Sequence, residues 1–306
     1  MVIVLVILDG WGIGKLDDGN PIHVAEPKNI LGLQEHFPFG ALKSSGLLAG
    51  LSWQEAGGSD SGHLTIGTGR IVGKNEIEKQ VVQENPLGKV LANNGKTQLK
   101  VAESLKEESV GYFFNGLKKE PFEREFRVIL PSQNEMQVKN HPEMRATAIT
   151  DRVIASLNEG GFDFILANYA NPDTLAKTGS FGATKAAIQA VDKEIGRLLE
   201  NILNQNHIML ITGSHGNAEA VMDQKTGKPE TINNPNPVPF YLAGKEFERP
   251  REKIRQLAPT GPSGLADYSE IPTIGILTDV APTILELMNL PIPPEMTGES
   301  LLPQLT

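Results

Sequence analysis

The sequence predicts an α/β fold in which a mainly parallel central sheet carries helices on both faces. Three observations support that expectation. Val2–Leu8 is an unbroken, branched apolar run that stops at Asp9-Gly10-Trp11-Gly12, the pattern of a strand buried on both faces. Short runs of the same kind recur along the chain with helical patterns between them, as a parallel sheet with crossover connections requires. The composition can also fill such a fold: of 306 residues, 39% are hydrophobic and 21% charged, enough for a sizeable core.

In chain order, further strands are expected at Val110–Asn115, Arg127–Pro131, Phe162–Asn168, Ile208–Thr212 and Val238–Ala243. The clearest helix is Thr184–Leu203. There Ala187, Ile188, Val191, Ile195, Leu198, Leu199 and Ile202 recur at three- and four-residue steps and form one apolar stripe. Ala146–Leu157 and Ala281–Leu290 show weaker versions, the second with Pro282 suited to a first helical turn. Two stretches interrupt the rhythm. Gly73–Asn85 is polar and charged and reads as a connector. Glu246–Ile276, rich in Pro, Gly, Arg and Lys, reads as a long loop, either loose or an interaction surface. The expected organisation is one domain over 1–306.

Charge and residue supply narrow the function. Lys and Arg number 28 against 37 Asp and Glu, a net charge of −9, which argues against nucleic acid as a partner. No apolar run approaches membrane-spanning length, and the start lacks the basic residues and cleavage site of a secretory leader. A cytoplasmic protein without a membrane partner is therefore expected. With no Cys there is neither a disulfide framework nor a thiolate metal site, so any metal must be held by carboxylates and by the six His.

Four segments have the residues for chemistry. Asp9 follows the first strand, at the sheet edge where ligands gather, and suits a hard metal ion or a phosphate, or simply a turn with Gly10. Ala56–Arg70 reads AGGSDSGHLTIGTGR. Ser59 there is either a nucleophile at a helix N-terminus or part of a glycine-rich loop with serine caps. The segment departs from the G-x-S-x-G pattern, because Ser61 stands where the second glycine belongs. Asp173 and His215 each follow an expected strand, so Asp9, Asp173 and His215 converge if the sheet is parallel. Glu219 reads as helix-terminal charge. Phosphate-loop and dinucleotide fingerprints are both wanting.

Together these segments are similar to the cofactor-independent phosphoglycerate mutases, a branch of the alkaline-phosphatase superfamily. The resemblance runs through LDGWG at 8–12, GNPIHVAEPKNI at 19–30, SGHLTIGTGRIV at 61–72 and PLGKVLANNGKTQLKVAES at 86–104. It continues through YFFNG at 112–116, ANYANPDTLAKTG at 167–179, ITGSHGNAEAVMD at 211–223, NPVPFYLAG at 236–244 and DVAPTILELMNLPIPPEMTGESL at 279–301. It implies a three-layered, alkaline-phosphatase-like fold. It also implies a phosphatase-like domain with two Mn²⁺ ions and a serine nucleophile, and a second domain, inserted after GRIV, that grips the substrate. Here only Gly73–Asn85 separates GRIV from the next matching segment, so the inserted domain is missing.

The resemblance carries the ligand positions over residue by residue, with losses. The metal on the serine side would use Asp9, Ser59, His215 and a position now held by Ser214, where the family has an aspartate. The other would use Asp173 and two positions now held by Lys177 and Asn233, where the family has histidines. Gly58 and Asp60 replace the asparagine and glutamate that flank the nucleophile in the family, while Lys106 matches the family's lysine near the phosphate. A lysine beside Asp173 stays protonated, and four residues along a helix it can pair with that carboxylate. The expectation is one weakly held divalent ion, Mn²⁺ or Mg²⁺, with the second absent.

Three functions are open at this point. The first is a non-catalytic relative that binds a phosphorylated small molecule or another protein. The second is a single-metal phosphohydrolase or phosphotransferase with Ser59 as nucleophile and Lys106 as phosphate clamp. The third is a mutase completed by a partner chain.

Overall fold

A computed structural model of the chain describes residues 1–53, 55–134, 137–249, 271 and 273–305. Its centre is an eight-stranded sheet. The strands are β1 (Ile3–Leu8), β2 (Phe39–Lys43), β3 (Gln98–Glu103), β4 (Glu125–Leu130), β5 (Phe164–Tyr169), β6 (Ile208–Gly213), β7 (Val238–Ala243) and β8 (Thr273–Ile276). Their spatial order is β4-β3-β5-β1-β6-β7-β2-β8. β4, β3, β5, β1 and β6 run parallel, and β2 runs parallel to β8. β7 runs against both its neighbours, β6 and β2.

The pleat of β1 sorts the core into two layers, because successive side chains point to opposite faces. Val2, Val4, Val6 and Leu8 join one apolar cluster. It is covered by α1 (Pro21–Ala25), α2 (Lys28–His36), α6 (Ala146–Glu159) and the long α8 (Phe181–Asn204). Ile3, Leu5 and Ile7 join the other, covered by α3 (Ser59–Thr68), α5 (Leu87–Asn93) and the helix Val280–Leu287. The expected three-layer α/β architecture is therefore present. Among the described residues, no helix is long and apolar enough to cross a membrane.

Most elements fall close to their expected places. The exception is Val110–Asn115, which is no strand: Ser109–Phe113 forms a π-helical turn. A short apolar run carries no period that separates strand from helix. Val110 and Phe114, four residues apart, are both fully buried against the core beside β3. The true strand in this region is β3, whose sequence QLKVAE is buried throughout despite its charges. β2 and β8 also lacked a readable pattern.

The connector is more than a link, for Lys74–Glu78 forms a short helix, α4. The expected long loop 246–276 ends in β8, while 250–270 and 272 lie outside the described residues.

The charge hidden in β3 has a specific partner. Lys100 and Glu125 on adjacent strands pair at 3.3 Å with neither side chain exposed, and Asn115 bridges them. Glu125 is also held by Arg127 at 2.7 Å. Burial lowers the Lys100 ammonium to about 8, against the pull of Glu125. Glu125→Gln, which leaves that ammonium unpaired, should cost about 3 kcal/mol in urea unfolding. The folded chain sheds the Lys100 proton near pH 8, whereas the unfolded chain keeps it to about pH 10.4. This lysine's contribution to stability therefore rises with pH across that interval. Relative to Lys100→Met, the wild-type urea midpoint should rise between about pH 8 and pH 10.

Candidate functional site

Four adjacent parallel strands, β3, β5, β1 and β6, end on the same edge of the sheet, and each delivers one polar side chain there. Asp9 follows β1. Asp173 lies in the first turn of α7 (Asn171–Ala176), directly after β5, and His215 follows β6. Lys106 closes the 3₁₀ turn Ser104–Lys106 after β3. Backbone hydrogen bonds stitch these loops together: Asp173 N–H donates to Asp9 C=O at 3.0 Å, and Ala218 N–H donates to Gly10 C=O at 2.8 Å. The fifth member, Ser59, is the first residue of α3.

The expected convergence of Asp9, Asp173 and His215 is present. All three are buried, and one ligand atom from each lies within 4.8 Å of the others. What the sequence did not indicate is where Lys106 sits. Lys106 Nζ lies 2.5 Å from Asp9 Oδ2 and 3.0 Å from Asp173 Oδ2, and also donates to Ser59 Oγ at 3.1 Å. Lys177 Nζ lies 2.8 Å from the same Asp173 oxygen, the pairing expected from their spacing. Ser59 Oγ donates to Asp9 Oδ2 at 2.8 Å, and Ser214 Oγ donates to Asp9 Oδ1. Asp173 Oδ1 lies 3.1 Å from His215 Nε2 and accepts from Asn217 Nδ2 at 2.9 Å. All four carboxylate oxygens thus have protein partners.

The electrostatics follow from that geometry. Burial alone would raise the Asp9 carboxyl, but the Lys106 ammonium outweighs it, helped by His215, and leaves it at about 2. Asp173 is likewise held well below the usual carboxylate range against its burial, by Lys106, His215 and Lys177. Lys106 is itself raised: burial disfavours its charge, and the two carboxylates more than restore it. A lysine so firmly protonated cannot serve Ser59 as a general base. Two carboxylates and two ammonium groups balance with no further ion.

The donor set can be tested against metal on these contacts. Asp9, Asp173 and His215 could hold one ion. They do not fit a pair. Lys177 brings a cation, not a lone pair, to the second position. Asn233 is an amide whose Nδ2 donates to Gly57 C=O at 2.9 Å, and Ser214 serves Asp9 as a donor.

The structure also brings in residues that the sequence reading passed over. Ser109 Oγ lies 3.3 Å from Ser59 Oγ. His63 sits inside α3, fully buried. Its Nδ1 meets Ser59 C=O at 2.7 Å and its Nε2 accepts from Asn168 Nδ2 at 2.9 Å. Burial pushes its imidazole down, toward the neutral form. The four-residue spacing from Ser59 was the available signal for this contact. Glu219, expected as helix-terminal charge, belongs to no helix and is buried. Above the site opens a cleft of about 650 Å³ lined by Ser59, Lys106, Lys177 and Asn233. Its outer wall includes Lys74, Ile77 and Glu78, so the connector α4 borders the site.

Comparison with known proteins agrees with this picture at the level of family and fold. The model of the Metalloenzyme superfamily matches residues 1–292. The 2,3-bisphosphoglycerate-independent phosphoglycerate mutase of Clostridium botulinum is 40% identical over 218 residues, which are 71% of this chain and 39% of that protein. The Clostridioides difficile enzyme of the same name is 42% identical over 218 residues, again 71% and 39% of the two chains. The chain thus covers well under half the length of these curated relatives. Among solved structures, a Leishmania mexicana phosphoglycerate mutase at low cobalt concentration superposes with a TM-score of 0.78 at 15% identity, covering 97% of each chain. The alkaline phosphatase of the Antarctic bacterium TAB5 gives 0.63 at 12% identity, covering 95% of this chain and 98% of that one.

The lysine arrangement makes a quantitative demand on stability. Lys106→Met strands two buried carboxylates without their shared cation and should cost about 3–5 kcal/mol at neutral pH. Lys177→Ala removes a half-exposed partner and should cost less than about 1 kcal/mol. Both are read from urea unfolding. The ionised carboxylates hold their stabilisation above the unfolded-state value of about 3.9 and lose it as pH falls toward the Asp9 value of about 2. The gap between wild type and Lys106→Met should therefore close in acid.

Proposed function

The chain belongs to the Metalloenzyme superfamily, and from that membership we propose that it is a phosphoglycerate-mutase-like domain that does not isomerise phosphoglycerate. The observation that carries this reading is the Lys177 ammonium paired with Asp173, at a position where the resembling family has a metal-ligating histidine, beside a Lys106 ammonium already bound to Asp9 and Asp173. In a two-metal phosphoryl-transfer site, the ions neutralise the phosphoryl oxygens and activate the nucleophile. Here the carboxylates that would hold such ions are already neutralised by groups covalently fixed to the chain. An ammonium can balance their charge, but it offers no open coordination position and cannot make an alkoxide of Ser59. The domain keeps the scaffold and the cleft, and serves in binding a phosphorylated small molecule or another protein in the cytoplasm.

A second reading draws support from Ser59 itself. Its hydroxyl stands at the N-terminus of α3, beside an open cleft, with Lys106 within hydrogen-bond reach. If a single ion, Mn²⁺ or Mg²⁺, were held by Asp9, Asp173 and His215, the residues around it would suit a water-accessible phosphohydrolase.

Metal analysis of the purified chain after Mn²⁺ loading and desalting, with two activity assays, separates the readings. The expected outcome is less than one equivalent of metal and no conversion of 3-phosphoglycerate to 2-phosphoglycerate. Retention of two equivalents, or isomerisation by the isolated chain, would overturn the proposal. Turnover of 4-nitrophenyl phosphate that requires Mn²⁺ and disappears in Ser59→Ala would establish the second reading instead.

A further inference from the structure

We infer that Glu219 is a positioning residue: its carboxylate fixes, relative to one another, the loops that carry Asp9, Asp173 and His215. Glu219 is 2% exposed, and among the described residues it has no basic partner. Its Oε2 accepts from Gly12 N–H at 3.0 Å and from Asn217 N–H at 2.9 Å, and its Oε1 accepts from Asn236 Nδ2 at 2.9 Å. Two of these contacts lead to the site. Gly12 lies three residues after Asp9, and Asn217 lies two after His215. Asn217 in turn donates its side-chain amide to Asp173 at 2.9 Å. Asn236 lies on the approach to β7 and closes the arrangement from the third side.

The surrounding chain is shaped to admit this one carboxylate. A Cβ on Gly12 would clash with the Glu219 carboxylate. One on Gly14 would lie 2.7 Å from its Cγ, and one on Gly216 would meet Asn234 Oδ1 first and then lie 2.7 Å from Glu219 Oε1. None of the three glycines has a positive φ, so their missing side chains provide room, not an unusual backbone. Three glycines from two loops thus converge on a single side chain.

The chemistry of the contacts also selects a carboxylate. All three partners are donors, so both oxygens must accept. A glutamine of the same shape would have to aim its NH₂ at a donor, breaking at least one bond and opposing two N–H groups in a dry setting. Burial pushes the Glu219 carboxyl up, and the fixed donors oppose that rise by favouring its charged form. Glu219 therefore acts on the site through Gly12 and Asn217 and touches no reacting group itself. The inference is independent of whether the site turns over phosphate, and the proposal above can fail without affecting it.

The test reads the site directly, through the imidazole ¹⁵N resonances of the six His. In Glu219→Gln the His215 resonances should move, while those of His23, His36 and His141 stay in place. The control is Asp192→Asn. Asp192 is another buried carboxylate, which accepts from the N–H groups of Asn29 and Ile30 at the start of α2, away from the site. That variant costs stability in the same currency and should leave His215 unmoved. If His215 moves no further in Glu219→Gln than in Asp192→Asn, the role is merely structural and the inference falls. Should Glu219→Gln fail to fold, Asn236→Ala removes only the Oε1 donor, at a half-buried position. A displaced His215 resonance there supports the inference, and one that coincides with wild type overturns it.

Discussion

Asp9 and Asp173 stand side by side at the edge of the sheet, both withdrawn from water, and the Lys106 ammonium lies between them. Two buried carboxylates at that separation would ordinarily share a proton, since neither solvent nor a counter-ion relieves their repulsion. Lys106 removes the problem from within, and Lys177 covers the outer Asp173 oxygen from the cleft side. A divalent ion and a pair of lysines solve the same charge problem. They differ in what they leave available. The ion keeps coordination positions for a substrate, whereas the ammonium groups spend their protons on the carboxylates and hold Ser59 as a hydrogen-bonded alcohol.

The loops are also tied to one another by groups that belong to no side chain. Asp9, Asp173 and Ala218 are joined through backbone groups, and the strands that launch them are fixed in register: Ile7 lies against Asn168 and Thr212. Glu219 adds a side-chain tie at the same level. The core layers on either face of β1 hold the strand ends where they are, so the edge retains its shape under a change of side chains.

The sequence was legible where one periodicity or one position determined the outcome. The buried run of β1 and the stripe of α8 could be read directly, and Asp9, Asp173 and His215 could be placed at one edge once the sheet was taken as parallel. Lys177 could be paired with Asp173 from its spacing alone. What stayed hidden depended on groups distant in the chain. β3 looked polar because Lys100 is neutralised by Glu125 from another strand. The Ser109–Phe113 turn looked like a strand because its apolar residues are buried, and burial has no period of its own over so short a run. Lys106 was visible as a phosphate-side residue, but nothing local announces that its ammonium lies on Asp9, whose position is set by a different strand. Glu219 looked like helix-terminal charge because its donors come from Gly12 and Asn236 as well as from its near neighbour Asn217.

The backbone stitching between the loops has a consequence for how such a chain can change over time. Amide and carbonyl groups are common to nearly every residue, so the bonds from Asp173 N–H to Asp9 C=O and from Ala218 N–H to Gly10 C=O survive the replacement of any side chain in the pocket. A lineage can therefore lose its reaction one ligand at a time without passing through an unfolded intermediate, provided each vacated charge is matched by another. An architecture of this kind tolerates change in the side chains of its pocket while the cavity itself keeps its shape.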